Sequence, residues 1–248
     1  MRVAGITDRG KYRSENQDTY RFAQMGDAIL AVVCDGMGGA AGGRTASTLA
    51  EACFFESFMA LYREKLTSGY PVTSFDIKRF FSGAVYSANK AVHGTALSDT
   101  GLAGMGTTLT AVFVFNGLVC TANIGDSRSY LVTRDGIERL TRDHSYVQQL
   151  EDSGASGEEI APSYRHIITR AVGVSPAVEC DFASYRCSSG DRVLLCSDGL
   201  CGAVSDEELR RVITSPEASE PDRAVRILLD LAEENDSRDN ITAVIIEV

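Results

Sequence analysis

Two pairs of short apolar segments are separated by the dipeptides Asn116-Gly117 and Asp135-Gly136. Asn-Gly and Asp-Gly between strand-length segments are strong hairpin signals, because both residues accept the positive φ angles of a tight turn. The flanking segments are 107–115 with 118–124, and 129–133 with 137–140. Strands linked by such short turns must run antiparallel, so the middle of the chain predicts antiparallel sheets.

Helical spacing occurs on both sides of these hairpins. Apolar residues recur every three or four positions over 46–61 and 77–92, and Ser74 or Asp76 is available to cap the second helix. The continuous apolar run 28–34 is typical of a strand buried on both faces. Further strands are predicted at 167–172, 177–186, 192–196 and 241–248, and further helices at 206–213 and 223–233. We expect one α+β domain over 1–248, in which helices cover antiparallel sheets.

Charge and composition exclude several classes of partner. The chain has 34 acidic and 24 basic residues, and the formal charge is −10. Nucleic acids and anionic membranes reward Lys and Arg, so neither is expected as the main partner. No apolar run has the length of a signal peptide or of a membrane span, which predicts a cytoplasmic protein, here expected to be a monomer. The seven cysteines contain no Cys-x-x-Cys pair and are expected to be free thiols.

Aspartate stands at one end of four predicted strands, as Asp35, Asp126, Asp198 and Asp239. Each alone is commonly a turn former or a helix cap. Four together at the edge of a shared core would repel one another unless cations neutralised them. Oxygen ligands without Cys or His favour Mg²⁺, Mn²⁺ or Ca²⁺ over zinc. The pattern predicts a hard-cation site, with plain turn residues as the alternative.

Nine short motifs then identify a resemblance. The chain resembles the metal-dependent protein phosphatases of type 2C, in the compact form common in bacteria. Any one motif is weak, but all nine occur in the family's order along the whole chain. They are TDRG at 7–10, RSENQD at 13–18, DGMGG at 35–39, GMGTTL at 104–109, GDSR at 125–128, LTRDHS at 140–145, ITRA at 168–171, SDGL at 197–200 and DNIT at 239–242.

The resemblance implies a fold and an activity. The fold would be a four-layer αββα sandwich, two antiparallel sheets flanked by helices, with a flap segment at about 145–170. The activity would be hydrolysis of phosphoserine and phosphothreonine in proteins by direct attack of a metal-bridging hydroxide. Mg²⁺ or Mn²⁺ would be the cofactor, as two core ions and a third. The partners would be phosphoprotein substrates, targets of a serine/threonine kinase.

The resemblance also implies roles for the residues of the core metal site. Asp35 would bridge two metal ions, and the carbonyl of Gly36 would bind one of them. Asp198 and Asp239 would complete the protein ligands of the other ion. Two cations held in this way can activate water and clamp phosphoryl oxygens for in-line attack.

Three more residues take roles around this core by the same resemblance. Asp18 would hold a metal-bound water, and Asp126 would bind the third ion together with Asp198. Arg13 would grip the substrate phosphate, for which a guanidinium fork is well suited.

The chain departs from the family pattern at several positions. Met37 stands where animal members carry a histidine as candidate general acid, so protonation of the leaving group is expected from a metal-bound water or another group. Gln17 replaces a glutamate of the metal shell. His144 is expected to be structural rather than an acid. Residues 161–166 of the flap also differ from relatives, which leaves substrate preference open.

Three alternative functions would also account for parts of this pattern. Cys180 and Arg186 have the Cys-x5-Arg spacing of cysteine phosphatases, but a phosphate loop needs small residues at a helix N-terminus. This segment alternates and contains Phe182 and Tyr185, which predicts a strand. A pseudophosphatase would be marked by loss of a metal aspartate, and all are present. Activity on a small phosphorylated metabolite stays open.

Overall fold

Antiparallel pairing organises every strand of the computed structural model, which describes residues 1–154, 161, 164 and 167–248. The strands of these ranges are β1 (Arg2–Asp8), β2 (Asp18–Met25), β3 (Ala28–Met37), β4 (Gly106–Thr107), β5 (Leu109–Phe115), β6 (Leu118–Ile124), β7 (Arg128–Val132), β8 (Ile137–Arg139), β9 (Asp181–Arg186), β10 (Arg192–Cys196) and β11 (Ile241–Glu247). One sheet has the order β1-β11-β10-β7-β8. The other has the order β2-β3-β5-β6-β9, with β4 paired to β3.

Helices cover the outer face of each sheet. In the described residues they are α1 (Gly39–Thr67), α2 (Ser74–Ser98), α3 (Tyr146–Asp152), α4 (Asp198–Cys201), α5 (Asp206–Ile213) and α6 (Pro221–Glu234). The cap predicted for α2 was wrong. Thr73 is the N-cap: its hydroxyl accepts from Asp76 N, and the Asp76 carboxylate accepts from Thr73 N (3.0 Å), so both form a capping box.

Three apolar clusters fill the spaces between the layers. Phe58 and Phe113 pack between α1, α2 and the six-stranded sheet, and their ring centroids lie 5.1 Å apart. Val33 and Val244 lie in the cluster between the two sheets. Leu228 of α6 lies in the cluster on the outer face of the five-stranded sheet. The order helix, sheet, sheet, helix confirms the predicted four-layer sandwich.

The hairpins follow the sequence signals, with one correction. Asn116 and Gly117 both have positive φ (49° and 71°) between β5 and β6, as a two-residue turn of type I′ requires. The connection from β7 to β8 is longer than predicted. Val132 pairs with Ile137, so four residues form the loop instead of Asp135-Gly136 alone.

Several other predictions of strands differ from the structure. Residues 167–172 form no strand, and only isolated bridges connect Ile168 with Ser145 and Val172 with Thr107. Strand β9 begins at Asp181, four residues later than expected. The strands β1 and β2 were not predicted.

No helix in the described ranges is long and apolar enough to cross a membrane.

Candidate active site

Five aspartates come together at one end of the sandwich, each from a different element. Asp18 begins β2, Asp35 lies near the end of β3, Asp126 follows β6, Asp198 begins α4 and Asp239 precedes β11. Asp18 and Asp35 occupy directly opposite positions in the pairing of β2 with β3. Asp126, Asp198 and Asp239 line a cleft of about 810 Å³.

Burial and mutual repulsion raise the pKa values of three of these carboxyls, those of Asp18, Asp35 and Asp126. Burial raises the pKa of Asp18 to about 7, and the charges of Asp198 and Asp239 add to the rise. Burial also raises the pKa of Asp126 to about 7, again with a contribution from Asp198. Burial, followed by the charges of the other four aspartates, holds the pKa of Asp35 well above its ordinary value. The predicted acidic residues therefore lie within electrostatic reach of one another.

The donor set fits divalent cations that prefer oxygen ligands. Within the described ranges, Asp18 Oδ1 and Asp126 Oδ1 are buried and have no hydrogen-bond partner. A buried carboxylate oxygen without a partner is costly unless a cation compensates it. No three His, Cys, Asp or Glu side chains of those ranges are arranged to hold an ion by themselves. The observation that bears on the ion is the pair of unpartnered carboxylate oxygens, because hard oxygen ligands favour Mg²⁺ and Mn²⁺.

The second oxygen of Asp18 is fixed by two hydroxyls. Ser197 Oγ and Thr242 Oγ1 donate to Asp18 Oδ2 at 2.7 and 2.6 Å. Since Thr242 donates there, Thr7 Oγ1 must be the donor in its 2.7 Å contact with Thr242 Oγ1. Asn16 Nδ2 in turn donates to Thr7 (2.9 Å). Sequence reasoning assigned no role to these four residues, although all of them belong to the recognised motifs.

Arg13 lies at the cleft and forms an ion pair with Asp239. Its Nε also donates to the carbonyl of Arg238 (3.2 Å), and about half of its side chain is exposed. Arg13 therefore contacts one of the aspartates predicted to bind metal. Its position next to the acidic cluster agrees with the predicted phosphate contact, which itself stays a prediction.

Asn240 connects the loop that carries Arg13 to the start of β11. Its Nδ2 donates to the carbonyls of Arg9 and Glu15, both at 2.9 Å, and its Oδ1 accepts from Gln17 N at 2.8 Å. The side chain is buried, so these contacts are shielded from water. Asn240 positions both ends of the loop, and sequence reasoning missed this although the residue lies beside Asp239.

Arg128 also lines the cleft, and its positive charge is paired with the carboxylate of Asp143. Its Nε and Nη2 donate to the Asp143 carboxylate at 3.1 and 2.7 Å, in a two-point contact. Asp143 is buried. Arg128 is thus held in the wall of the cleft close to Asp126.

His144 has the structural role that was expected. The N–H of Gly125 donates to its Nδ1 (3.1 Å), and its Nε2 lies 2.9 Å from Arg170 Nη1 and 3.1 Å from Asp181 Oδ2. Burial lowers the pKa of His144, which favours the neutral ring. The backbone N–H of His144 donates to the carbonyl of Gly125 (2.9 Å). His144 therefore fixes the backbone immediately before Asp126.

Gly36 and Met37 continue β3 beyond Asp35. Gly36 is buried, its N–H donates to the carbonyl of Gln17 (3.2 Å), and it pairs with Thr107 of β4. The ligand role of its carbonyl stays a prediction. Met37 is half-buried and pairs with Gly106.

The predicted flap contains the helix α3 (Tyr146–Asp152). Most of the stretch 161–166, which differs from relatives, lies outside the described residues.

The segment with cysteine-phosphatase spacing is extended. Cys180 immediately precedes β9, and Arg186 is the last residue of that strand. Six steps of about 3.3 Å along the extended chain separate them by roughly 20 Å, whereas a phosphate loop curls around its ligand. Burial raises the pKa of the Cys180 thiol to about 12, which opposes a reactive thiolate. The strand predicted here is confirmed.

The whole chain matches proteins of one family. The protein phosphatase 2C family model matches residues 10–228. A serine/threonine phosphatase, Stp, of Listeria innocua is 32% identical over 244 residues, which cover 97% of this chain and 93% of that protein. The serine/threonine protein phosphatase PstP of Mycobacterium tuberculosis is 34% identical over 250 residues, which cover 100% of this chain and 45% of PstP.

A solved structure shows the same relationship in three dimensions. The crystal structure of the catalytic domain of PstP in complex with two manganese ions matches with a TM-score of 0.81 at 32% identity. The match covers 99% of this chain and 97% of that one. The chain therefore belongs to the protein phosphatase 2C family.

Proposed function

We propose that this chain is a metal-dependent serine/threonine protein phosphatase that hydrolyses phosphoserine and phosphothreonine in proteins. The observation that carries the proposal is the group of five aspartates, brought from five elements to one end of the sandwich, where three of them line the cleft beside Arg13. Phosphate monoesters hydrolyse extremely slowly without a catalyst, so an assembly of cations and a guanidinium suits this reaction. The names of the relatives from Listeria and Mycobacterium support the substrate class.

The acidic residues would hold Mg²⁺ or Mn²⁺. Asp35, Asp198 and Asp239 would hold two core ions, with the carbonyl of Gly36, and Asp126 with Asp198 would hold a third. When bound, such ions lower the pKa of water so that it attacks phosphorus directly as hydroxide, and they neutralise charge on the phosphoryl oxygens. The two manganese ions in the PstP structure support this assignment.

The remaining residues would position these ligands and the substrate. Ser197 and Thr242 fix Asp18 Oδ2, so Asp18 Oδ1 keeps a constant orientation from which to hold a metal-bound water. Arg13, paired with Asp239 in this structure, would turn its guanidinium fork to the phosphoryl oxygens of the substrate once Asp239 serves as a metal ligand. Asp18 and Arg13 would thus orient the water and the substrate phosphate for reaction.

Protonation of the leaving oxygen would come from the region of Asp126. Met37 has no ionisable proton, and both ring nitrogens of His144 have partners within the protein, Gly125 N at Nδ1 and Arg170 with Asp181 at Nε2. Asp126 lines the cleft and, by holding the third ion together with Asp198, would position a water that donates this proton. Substrates phosphorylated by a serine/threonine kinase are part of this proposal. The monomeric state, the cytoplasmic location and the expectation of no nucleic-acid or membrane partner stay predictions.

Phosphate release from matched phosphothreonine and phosphotyrosine peptides tests the proposal. The assay should be run with Mn²⁺, with Mg²⁺ and with EDTA, beside the variant Asp198→Asn. We expect turnover of the phosphothreonine peptide only with a divalent ion, and loss of that turnover in Asp198→Asn. Manganese binding without turnover of any peptide would indicate a pseudophosphatase instead.

A further inference from the structure

A groove of about 270 Å³ lies beside the cleft and has no part in the function described so far. Most of its lining is apolar, as Met37, Ile168, Ala171, Val174 and Val178. About half of the Val174 side chain (51%) is exposed to solvent. A preformed concave apolar surface of this kind is suited to bind an apolar group.

The groove begins on the same strand face as the acidic site. Side chains two positions apart in a strand point to the same side, so Met37 and Asp35 share a face of β3. A strand rises about 3.4 Å per residue, which places the Met37 Cα about 7 Å from the Asp35 Cα. A group bound in the groove would therefore lie close to a phosphate held at the metal site.

The groove and the cleft also share a wall. Ser145 lines the cleft, Ile168 lines the groove, and the two residues form a backbone bridge. The N–H of Thr169 donates to the carbonyl of His144 (2.8 Å), which continues the same contact. One pair of bridged backbone segments thus lies between the cleft and the groove.

Hydrogen bonds from α2 fix the far wall. Asn89 is buried, its Oδ1 accepts from Gly173 N (2.8 Å), and its Nδ2 donates to the carbonyl of Ser175 (3.0 Å). Gly173 has a φ of +92°, and a Cβ there would lie 2.2 Å from Val92 Cγ1, so only glycine fits. The loop that presents Val174 is therefore held in one conformation before any ligand binds.

The side chains at the entrance pack closely over Gly106. A Cβ on Gly106 would lie 2.8 Å from Val174 Cγ2 and 3.0 Å from Met37 Cε. These two side chains thus form a continuous apolar surface at the end of the groove nearest Asp35.

The charges at the groove are already paired. Arg170 Nη1 donates to Asp181 Oδ1 (2.7 Å), and Arg170 Nη2 lies 3.8 Å from Glu179 Oε2. A cation committed in this way offers little to an acidic ligand, and the exposed Glu179 would repel one. The groove therefore favours an uncharged, apolar occupant.

We infer that this groove binds an apolar side chain of the phosphoprotein substrate, one to three residues from the phosphorylated residue. The inference rests on the proposed function. An extended peptide advances 3.3–3.6 Å per residue, so roughly one to three residues span the separation of the two spaces. The groove is smaller than the roughly 300–1,000 Å³ of ordinary small-molecule sites and matches a side chain better than a free metabolite.

A peptide series tests the inference. Phosphothreonine peptides should be made in a Gly/Ser background, with a single Leu moved through the three positions on either side of the phosphothreonine. With Mn²⁺, the wild type should show about tenfold higher kcat/KM for Leu at one of these positions, equal to about 1.4 kcal/mol. The gain should appear mainly in KM.

Val174→Asp should remove that preference, because it places a charge in the apolar surface. Leu66→Asp is the matched control: Leu66 is exposed to a similar extent (53%) at the end of α1 and lines neither the cleft nor the groove. It should keep the tenfold ratio. Val174→Thr preserves shape and should reduce the ratio only in part, which covers the case that the aspartate variant folds poorly.

The outcomes separate the two proposals. Turnover of all peptides with equal kcat/KM in the wild type would overturn the groove assignment and leave the phosphatase activity intact. A Leu preference that persists in Val174→Asp would also overturn it. No turnover of any phosphopeptide, with manganese bound, would contradict the proposed function itself.

Discussion

Asp18 and Asp35 stand directly opposite each other on β2 and β3, so two carboxyl groups meet at the buried end of one sheet. Like charges in opposite positions destabilise a strand pair, and burial increases the cost. The sheet end is therefore built for binding cations at the expense of stability in their absence. This arrangement makes stability depend on pH and on metal together.

The metal-free protein should lose stability as pH rises from 5 to 7. The pKa of Asp18 is about 7 in the folded chain, against an ordinary value of 3.8, so the folded state binds the extra proton within this window. An acid with a raised pKa stabilises the fold below its unfolded pKa and loses that contribution as pH rises through the folded pKa. Thermal midpoints in EDTA at pH 5, 6 and 7 would measure the slope.

His144 acts in the opposite direction near its own pKa, because burial lowers that pKa. The contribution of Asp18 is therefore measured by comparing the wild type with Asp18→Asn, since both retain His144. The variant should lose less stability than the wild type between pH 5 and 7. Saturating Mn²⁺ should raise the wild-type midpoint most at pH 7. Identical profiles of thermal midpoint against pH for the wild type and Asp18→Asn would contradict the raised pKa of Asp18.

Replacing Arg13 should weaken substrate binding but spare the metals. Arg13→Ala should lower kcat/KM for phosphopeptides about 10- to 100-fold, as expected for a lost charge-assisted hydrogen bond, mainly through KM. Arg13→Lys keeps the charge without the fork and should recover only part of the loss. Manganese affinity should be equal or slightly higher, since Asp239 loses its cation partner. Wild-type kinetics in Arg13→Ala would place the phosphate elsewhere.

Asp126→Ala should fold, keep both core metals and lose most turnover of phosphothreonine peptides. An activated aryl phosphate has a leaving group that needs little protonation, so its hydrolysis should fall much less. Calorimetric titration with Mn²⁺ and rates on both substrates measure this. Near-wild-type rates on both would reduce Asp126 to a residue of the turn.

Cys180→Ser should leave the turnover of phosphopeptides nearly unchanged. Cys180 adjoins an edge strand, and its thiol has a raised pKa, so it is a poor nucleophile. Phosphate release compared with the wild type is the measurement. Complete loss of turnover in a normally folded Cys180→Ser protein would revive the cysteine mechanism.

Local patterns in the sequence predict most elements and four of the five aspartates of the site, and the family resemblance adds Asp18. The turn at Asn116-Gly117 and the apolar run of β3 carry their own local signals. Strands β1 and β2 lack such signals, because their stability comes from pairing with β11 and β3. The segment 167–172 is apolar enough to be taken for a strand, yet it lines the shared wall of the groove instead.

The polar contacts that organise the site leave no local pattern. Thr242 donates to Asp18 across 224 positions, and Asn240 holds Glu15 across 225. Such contacts appear only when the two sheets come together. The motifs marked these residues as members of the site, whereas their roles as positioning residues required the fold.

The most direct test of the central claim is to measure manganese binding and phosphate release on one preparation. Metal-free wild-type protein should be titrated with Mn²⁺ in a calorimeter, with phosphothreonine-peptide turnover followed at each ratio, beside Asp35→Ala and Asp239→Ala. We predict no turnover without metal, a return of activity as the core sites fill, and loss by orders of magnitude in both variants, together with weaker binding. Full turnover by a sample verified to be free of metal would contradict the account.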